Sequence, residues 1–270
     1  MNREEWLQER RRGLGGSDIT AILGLSEYKT PYAVWEEKVL GVIPPENEFM
    51  KAGKKLEHVV AEYYEEATGE TTTKPEENKI YCLNDNPIIC GTPDRLLDEA
   101  VLELKTTQHF ITADNFPTEW LLQGQWYAGI LNKNYCINAW LTRGAFFDYR
   151  KTEFNKELFE TLVESGTDWW NKYVVKNIKP EPVNSQDIIR MFKDKLTGNS
   201  VVLKSELLPE LETLRELKNQ KKQIEEKEKN LEENIKMIMR DNEYLIDSDN
   251  RTLATWKQNA KGTRTFSLKI

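Results

Sequence analysis

Between Gly91 and Thr106 the chain reads GTPDRLLDEAVLELKT, and no other stretch of its 270 residues restricts the fold as strongly. Residues 92–97 and 101–106 alternate apolar with polar side chains around the pair Asp98-Glu99, which predicts a β-hairpin, Asp-Glu being a weaker turn signal than Asn-Gly. On the second strand the two-residue period sends Glu103 and Lys105 to one face and Leu102 and Leu104 to the other, buried face. An even-numbered turn centred on Asp98-Glu99 pairs residues whose numbers sum to 197, so Asp94 stands across from Glu103. Two carboxylates are then side by side.

Like charges opposed on a sheet are unfavourable, so this arrangement needs a compensating cation, either Lys105 or a metal ion. Oxygen-only ligands suit Mg²⁺ or Mn²⁺. The alternative is a solvated strand face on which Asp94, Glu103 and Lys105 are ordinary surface charges. The order Pro93-Asp94, eight intervening residues, then Glu103-Leu104-Lys105 resembles the PD-(D/E)XK motif of metal-dependent nucleases.

A chain of this length can bury one full core and carry an appendage. No apolar run approaches the ~18 residues of a membrane helix, so no membrane partner is expected. The opening MNREEWLQERRR lacks the apolar core of a signal peptide, which points to the cytoplasm. Cys82, Cys90 and Cys136 have no CxxC spacing and are expected as reduced core or strand residues. A formal net charge of −7 argues against coating nucleic acid by bulk electrostatics; Arg10-Arg11-Arg12 and Lys51, Lys54 and Lys55 leave room for a local positive groove.

Residues 3–12 read as a short helix ended by Gly13. Ser17 and Asp18 then supply an N-cap and a first-turn acid for a second helix over 19–23, closed by Gly24. Arg10 falls at the end of the first helix and the Gly15-Gly16-Ser17 turn at the start of the second, a combination suited to phosphate. The alternative is helix capping alone.

Trp6-Leu7, Arg10 and GLGGSDITAILGLSEYKTPYAVWEEKVLG, taken with GTPD and ELK, resemble the opening of the YqaJ-like viral recombinase family, relatives of the phage lambda exonuclease. The resemblance covers about residues 3–145. Residues 47–68 form a strong helix, with Leu56, Val59, Val60, Tyr63, Tyr64 and Ala67 on its apolar stripe and Glu57 at the margin. GKKLEHVVAEYYE is similar to the family helix whose glutamate joins the metal site, which implies that role for Glu57. A helix over residues 118–131 sets Trp120, Gln123 and Tyr127 on one face. Gln123 with Tyr127 matches the glutamine-xxx-tyrosine element of related nucleases, and the family's Q-x-Q pair stands as Gln123 and Gln125. Gln123 is the favoured catalytic amide, with Gln125 and Tyr127 assigned to the DNA.

Strands are expected at 81–90, 135–142 and 146–154, and a helix at 156–175. Pro180, Pro182 and Asn184 mark a linker. Beyond it lie a charged helix over 203–240, broken near Pro209, with Leu217, Ile224, Leu231 and Ile238 at heptad spacing, and short tail strands. The fold class is α/β: a mixed central sheet flanked by helices in a restriction-endonuclease-like core over 1–183, with a helical arm and small β tail over 184–270. The resemblance implies a Mg²⁺-dependent 5′ to 3′ exonuclease on double-stranded DNA ends. Asp94, Glu103 and the Leu104 carbonyl would hold the ion, Lys105 would serve the attacking water, and Arg10 and Ser17 would hold the 5′ phosphate. It also implies a homotrimer and a RecT-like single-strand annealing partner. The competing readings are a site-specific endonuclease on the same fold and a non-catalytic DNA-binding scaffold.

Overall fold

The computed structural model describes residues 3–43, 45–84, 86–193, 198, 200–259 and 262–269. Contacts divide the chain into two units, Met1–Leu196 and Thr197–Ile270.

The first unit opens with α1 (Arg3–Arg10), α2 (Gly16–Ile22), α3 (Pro31–Trp35) and α4 (Glu48–Thr68). Strands β1 (Tyr81–Leu83), β2 (Asn86–Gly91), β3 (Arg95–Leu96) and β4 (Ala100–Thr107) follow, then α5 (Thr118–Ile130), β5 (Tyr135–Thr142), β6 (Phe146–Glu153), α6 (Lys156–Trp169) and α7 (Ser185–Phe192). Strands β3 to β6 make one sheet in chain order, with β4 and β5 parallel and both outer pairs antiparallel. The expected mixed sheet is therefore present.

Arg95 pairs with Leu102 and Leu96 with Val101, the register in which residue numbers sum to 197. The first arm of the hairpin is only two residues long because Pro93, which has no N–H, cannot extend the ladder. Leu102 and Leu104 pack with Val60, Ala61 and Tyr64 of α4. Val101, on the opposite face, packs with Leu122 and Trp126 of α5. The sheet is thus covered on both sides, and Glu103 is only 3% exposed instead of lying on an open face.

The helix expected over 19–23 begins earlier, at Gly16, with Gly15 as its N-cap in place of Ser17. Asp18 determines this start: its Oδ2 accepts a 3.0 Å hydrogen bond from the Gly15 N–H. The carboxylate is wholly buried and meets Lys29 at 2.6 Å and Lys38 at 2.7 Å. Lys38 Nζ in turn donates to the Arg10 carbonyl at 3.0 Å, which ties α1 to the turn. Leu14 is bonded to β2 through Ile88 and Cys90, so the turn is also fixed to the strand leading into Asp94.

The segment expected as one strand over 81–90 is an antiparallel pair, β1 with β2. Cys82 lies directly opposite Cys90 and the two form a disulfide, so the expectation of reduced thiols there is corrected; Cys136 remains a buried thiol. Helix α7 falls in the region assigned to the arm, yet it belongs to the first unit. Its buried Asp187 accepts hydrogen bonds from Thr30 Oγ1 at 2.8 Å and from the Val183 N–H at 3.1 Å.

In the second unit a short turn at Ser205–Leu207 leads into α8 (Leu208–Met239), followed by the antiparallel sheet β7 (Tyr244–Ile246), β8 (Thr252–Gln258) and β9 (Arg264–Leu268). Pro209 starts α8 and does not break it, since the first helical turn needs no N–H from that residue. Leu217, Ile224, Leu231 and Ile238 are exposed along this helix. Among the described residues no helix is long and apolar enough to cross a membrane.

Burial opposes the charge on Asp18, but Lys29 and Lys38 outweigh it and hold its pKa well below the usual carboxylate value. A depressed folded-state pKa stabilises the protein above the unfolded value, near ~3.9, and that contribution is lost as pH falls through the lowered folded value. Asp18→Asn, which leaves two cations without their buried partner, is expected to destabilise the protein by about 3–5 kcal/mol at pH 7. Urea unfolding of the two proteins checks this, and the gap should close only below about pH 4.

Candidate active site

The hairpin register brings Asp94 against the backbone of β4, where its Oδ2 accepts a 2.8 Å hydrogen bond from the Leu104 N–H. Glu103 and Lys105 emerge on the α5 side of the strand. Lys105 Nζ donates to Glu103 Oε2 at 3.0 Å and to Gln123 Oε1 at 2.8 Å. Asp94, Glu103, Lys105 and Gln123 are therefore one constellation, drawn from the loop before β3, from β4 and from α5.

Its charges do not balance. Burial, with the Asp94 charge added, pushes Glu103 up to about 8. Burial also raises Asp94, although Lys105 and the Leu104 N–H pull it back. Burial works against the ammonium of Lys105, but Glu103 and Asp94 prevail and its pKa stands above the usual lysine value. One cation thus serves two carboxylates.

Glu57 of α4 is half-buried at the edge of this group; burial and then the Asp94 charge raise its pKa. Among the described residues no three His, Cys, Asp or Glu side chains form a ready-made metal cage. A divalent ion nevertheless fits the residues present. Glu103 Oε1 is buried with no hydrogen-bond partner, and two crowded carboxylates with raised pKa values are the oxygen donors a hard cation needs.

Tyr127 joins this constellation to the N-terminal turn. A Cβ on Gly91 would lie 2.4 Å from the Tyr127 ring, and one on Gly16 would lie 2.9 Å from its hydroxyl oxygen and 3.2 Å from Cγ of Gln123. The glycines of GTPD and of GGSD are thus openings for one buried aromatic ring. Arg10 lies beside the turn, with a guanidinium nitrogen 4.0 Å from the Cβ position of Gly15 and the guanidinium carbon 5.0 Å from the centre of the Trp6 ring. Ser17 is half-buried in the first turn of α2.

Gln125 is elsewhere. Its Nε2 donates to the Glu153 carbonyl at 2.8 Å and its Oε1 accepts from the Asn155 N–H at 2.7 Å, so this buried amide holds the corner between β6 and α6. Glu119, which the sequence reading passed over, lies near Lys105; burial raises its pKa while Lys105 lowers it. Its place four residues before Gln123, on the same helix face, was the available signal.

Residues 5–134 match the model of the YqaJ-like viral recombinase domain. The uncharacterized protein YqaJ of Bacillus subtilis (strain 168) is 28% identical over 259 residues, spanning 90% of this chain and 80% of the relative. Two structures of the alkaline exonuclease LHK-Exo of Laribacter hongkongensis, one of them with dAMP, superpose with a TM-score of 0.53 at 15% identity. Each superposition covers 64% of this chain and 93% of the other.

Mn²⁺ is expected to raise the melting temperature of the protein, by the equivalent of about 2.7 kcal/mol at a hundred times its dissociation constant. Asp94→Asn and Glu103→Gln should each abolish that rise, while melting above wild type in chelator because one of two opposed carboxylates is gone. Differential scanning calorimetry with and without the ion decides both points.

Proposed function

We propose that this chain, whose residues 5–134 match the model of the YqaJ-like viral recombinase domain, is a nuclease of that kind and a 5′ to 3′ exonuclease acting on double-stranded DNA ends. On this reading it requires Mg²⁺, accepts Mn²⁺, and leaves 3′ single-stranded overhangs. The observation that carries the proposal is the group of buried Glu103 with half-buried Asp94, Lys105 and Gln123, in which a Glu103 oxygen is left unpartnered. An alkaline exonuclease of the same fold has been crystallised with dAMP, a deoxynucleoside monophosphate, which supports release of mononucleotides.

Phosphodiester hydrolysis requires a nucleophile made from water and relief of the charge that builds on the phosphate. A bound divalent ion supplies both. Asp94, Glu103 and the Leu104 carbonyl would hold that ion, with Glu57 completing a second position. Lys105, kept charged by Glu103 and fixed by Gln123, places the attacking water and offsets negative charge at the phosphate. Gln123 therefore acts by orienting Lys105. The buried Tyr127 ring sets the distance between this chemistry and the N-terminal turn.

Arg10 and Ser17 take the terminal 5′ phosphate, which carries about −2 charge near neutral pH against −1 for an internal diester. A guanidinium prefers the former. Gln125 has no part in DNA binding, because both ends of its amide are occupied. A homotrimeric assembly and a RecT-like annealing partner complete the reading; they rest on the family resemblance.

Digestion of a linear duplex, labelled at either 5′ end, beside a closed circular plasmid tests the whole. Mg²⁺-dependent loss from the 5′ ends with the circle intact is the expected result, and cleavage of the circle would replace exonuclease by endonuclease. Asp94→Ala should abolish the reaction while DNA binding persists. Lys105→Ala should lower kcat by about a hundredfold or more with little change in DNA affinity.

A second measurement addresses end recognition. Each charge-assisted contact contributes about 1.5–3 kcal/mol, so a 5′-hydroxyl duplex should start at roughly a tenth or less of the rate of a 5′-phosphate duplex. Arg10→Ala should be slow on both, without a further defect on the hydroxyl end, because both changes remove one interaction. A mutant that discriminates as well as wild type would transfer the role to Arg11 or Arg12.

A further inference from the structure

Asn138 lies on β5 in register between Glu103 of β4 and Arg150 of β6, and it is wholly buried. Residues in register on neighbouring strands present their side chains on one face of the sheet, so Asn138 shares with Glu103 and Lys105 the face beneath α5. Gly124 permits that close approach: a Cβ there would stand 2.8 Å from Cβ of Cys136 and 3.5 Å from Nδ2 of Asn138. Neither Nδ2 nor Oδ1 of Asn138 has a hydrogen-bond partner within the protein. The same holds for Glu103 Oε1 and for Thr152 Oγ1, which lies opposite Cys136 on the same face.

Four unpaired buried polar atoms on three adjacent strands are too concentrated to be incidental, since buried polar groups in native proteins are almost always paired and each exception needs an explanation. A leucine at 138 would fill the same volume without any unpaired atom. Arg150 does not provide the missing partner: its side chain is directed outward, 4.6 Å from the centre of the Phe116 ring. The polar neighbour left in the row is Glu103.

We propose that Asn138 is a positioning residue for Glu103. Its amide N–H holds Oε1, directly after a side-chain rotation or through an enclosed water that also meets Thr152, so that the carboxylate keeps one orientation towards Lys105 and the ion. A carboxylate oxygen has two lone pairs and can face an ion with one and an amide with the other. Ligating carboxylates are commonly fixed in this way by an outer hydrogen bond. The inference rests on the reading of Glu103 as a metal ligand.

The test is Mn²⁺ binding by the full-length protein without DNA, followed through the electron paramagnetic resonance signal of the free ion, beside urea unfolding in chelator. Asn138→Leu should unfold at the same or a higher urea concentration, because unpaired polar atoms have been replaced by apolar ones. Its Mn²⁺ affinity should nevertheless fall by about 10- to 100-fold, and kcat should fall with KM for DNA unchanged. A merely structural asparagine would show the reverse pattern, with stability altered and metal affinity intact. Should leucine not be accommodated, Asn138→Ala removes the amide without adding bulk. Mn²⁺ affinity within threefold of wild type in whichever variant folds overturns the inference. Wild-type protein that binds no Mn²⁺ removes the metal-site reading together with this inference, whereas wild-type binding that the variants retain overturns this inference alone.

Discussion

Two carboxylates, Asp94 and the buried Glu103, meet one ammonium, Lys105, at a half-buried edge of the sheet, and the surrounding structure keeps them there. Left alone such a group would open: burial raises the pKa of both acids, and with the Asp94 charge added that of Glu103 stands at about 8. Three constraints prevent this. The hairpin fixes Asp94 to the Leu104 N–H, the parallel pairing of β4 with β5 holds Glu103 inside the sheet, and α5 closes the same face while offering Gln123 to Lys105. Each is a backbone or side-chain restraint that tolerates little movement, which on the proposed function would keep the ligands in place before an ion arrives.

Tyr127 carries the same rigidity outward. Its ring fits against two residues that lack Cβ, Gly16 and Gly91, and so couples the N-terminal turn, the strand leading to Asp94 and the helix bearing Gln123. Behind that turn the buried Asp18, between Lys29 and Lys38, provides the anchor. A buried ion group of this kind contributes less to net stability than to fixing one arrangement over others, since equally bulky apolar residues would pack as well. On the proposed function this has a direct use. The distance from Arg10 to the reacting phosphate is set by stacked, nearly incompressible parts, so an end-recognition element and a hydrolytic element can work at a fixed spacing on one strand.

The parts of this site that were legible in the sequence are those governed by local periodicity. A period of two and a central polar pair sufficed for the register of β3 and β4, and a 3.6-residue stripe with Asn47 and Gly69 at its ends sufficed for α4. Helical spacing set Gln123 and Tyr127 on one face of α5, and their selection came from the resemblance to the glutamine-xxx-tyrosine element of related nucleases. What escaped depended on contacts between distant segments. Asp18 reads as an ordinary first-turn acid until Lys29 and Lys38 come back to it. Cys82 and Cys90 share no motif spacing, and only the turn between β1 and β2 brings them opposite each other. Gln125 lies in the same Q-x-Q pair as Gln123, yet two positions along a helix turn a side chain about 200°. That rotation carries it to the β6–α6 corner.

The sparseness of the metal site bears on how it would work. With two carboxylates, one carbonyl and a marginal glutamate, the protein offers fewer oxygens than the six an octahedral ion requires, and the described residues hold no third acid close enough to complete a cage. On the proposed function the remaining positions fall to water and to the DNA phosphate itself. On that reading the phosphate would share in holding the ion, and each would strengthen the binding of the other by the same factor. Such a centre favours a small ion that keeps several waters, Mg²⁺ or Mn²⁺, over Ca²⁺, which takes more protein oxygens at longer and more variable distances. It also confines reactivity to moments when a strand end is seated, because until then the charge of Lys105 is shared between Glu103 and Gln123 and no phosphate is present to receive it.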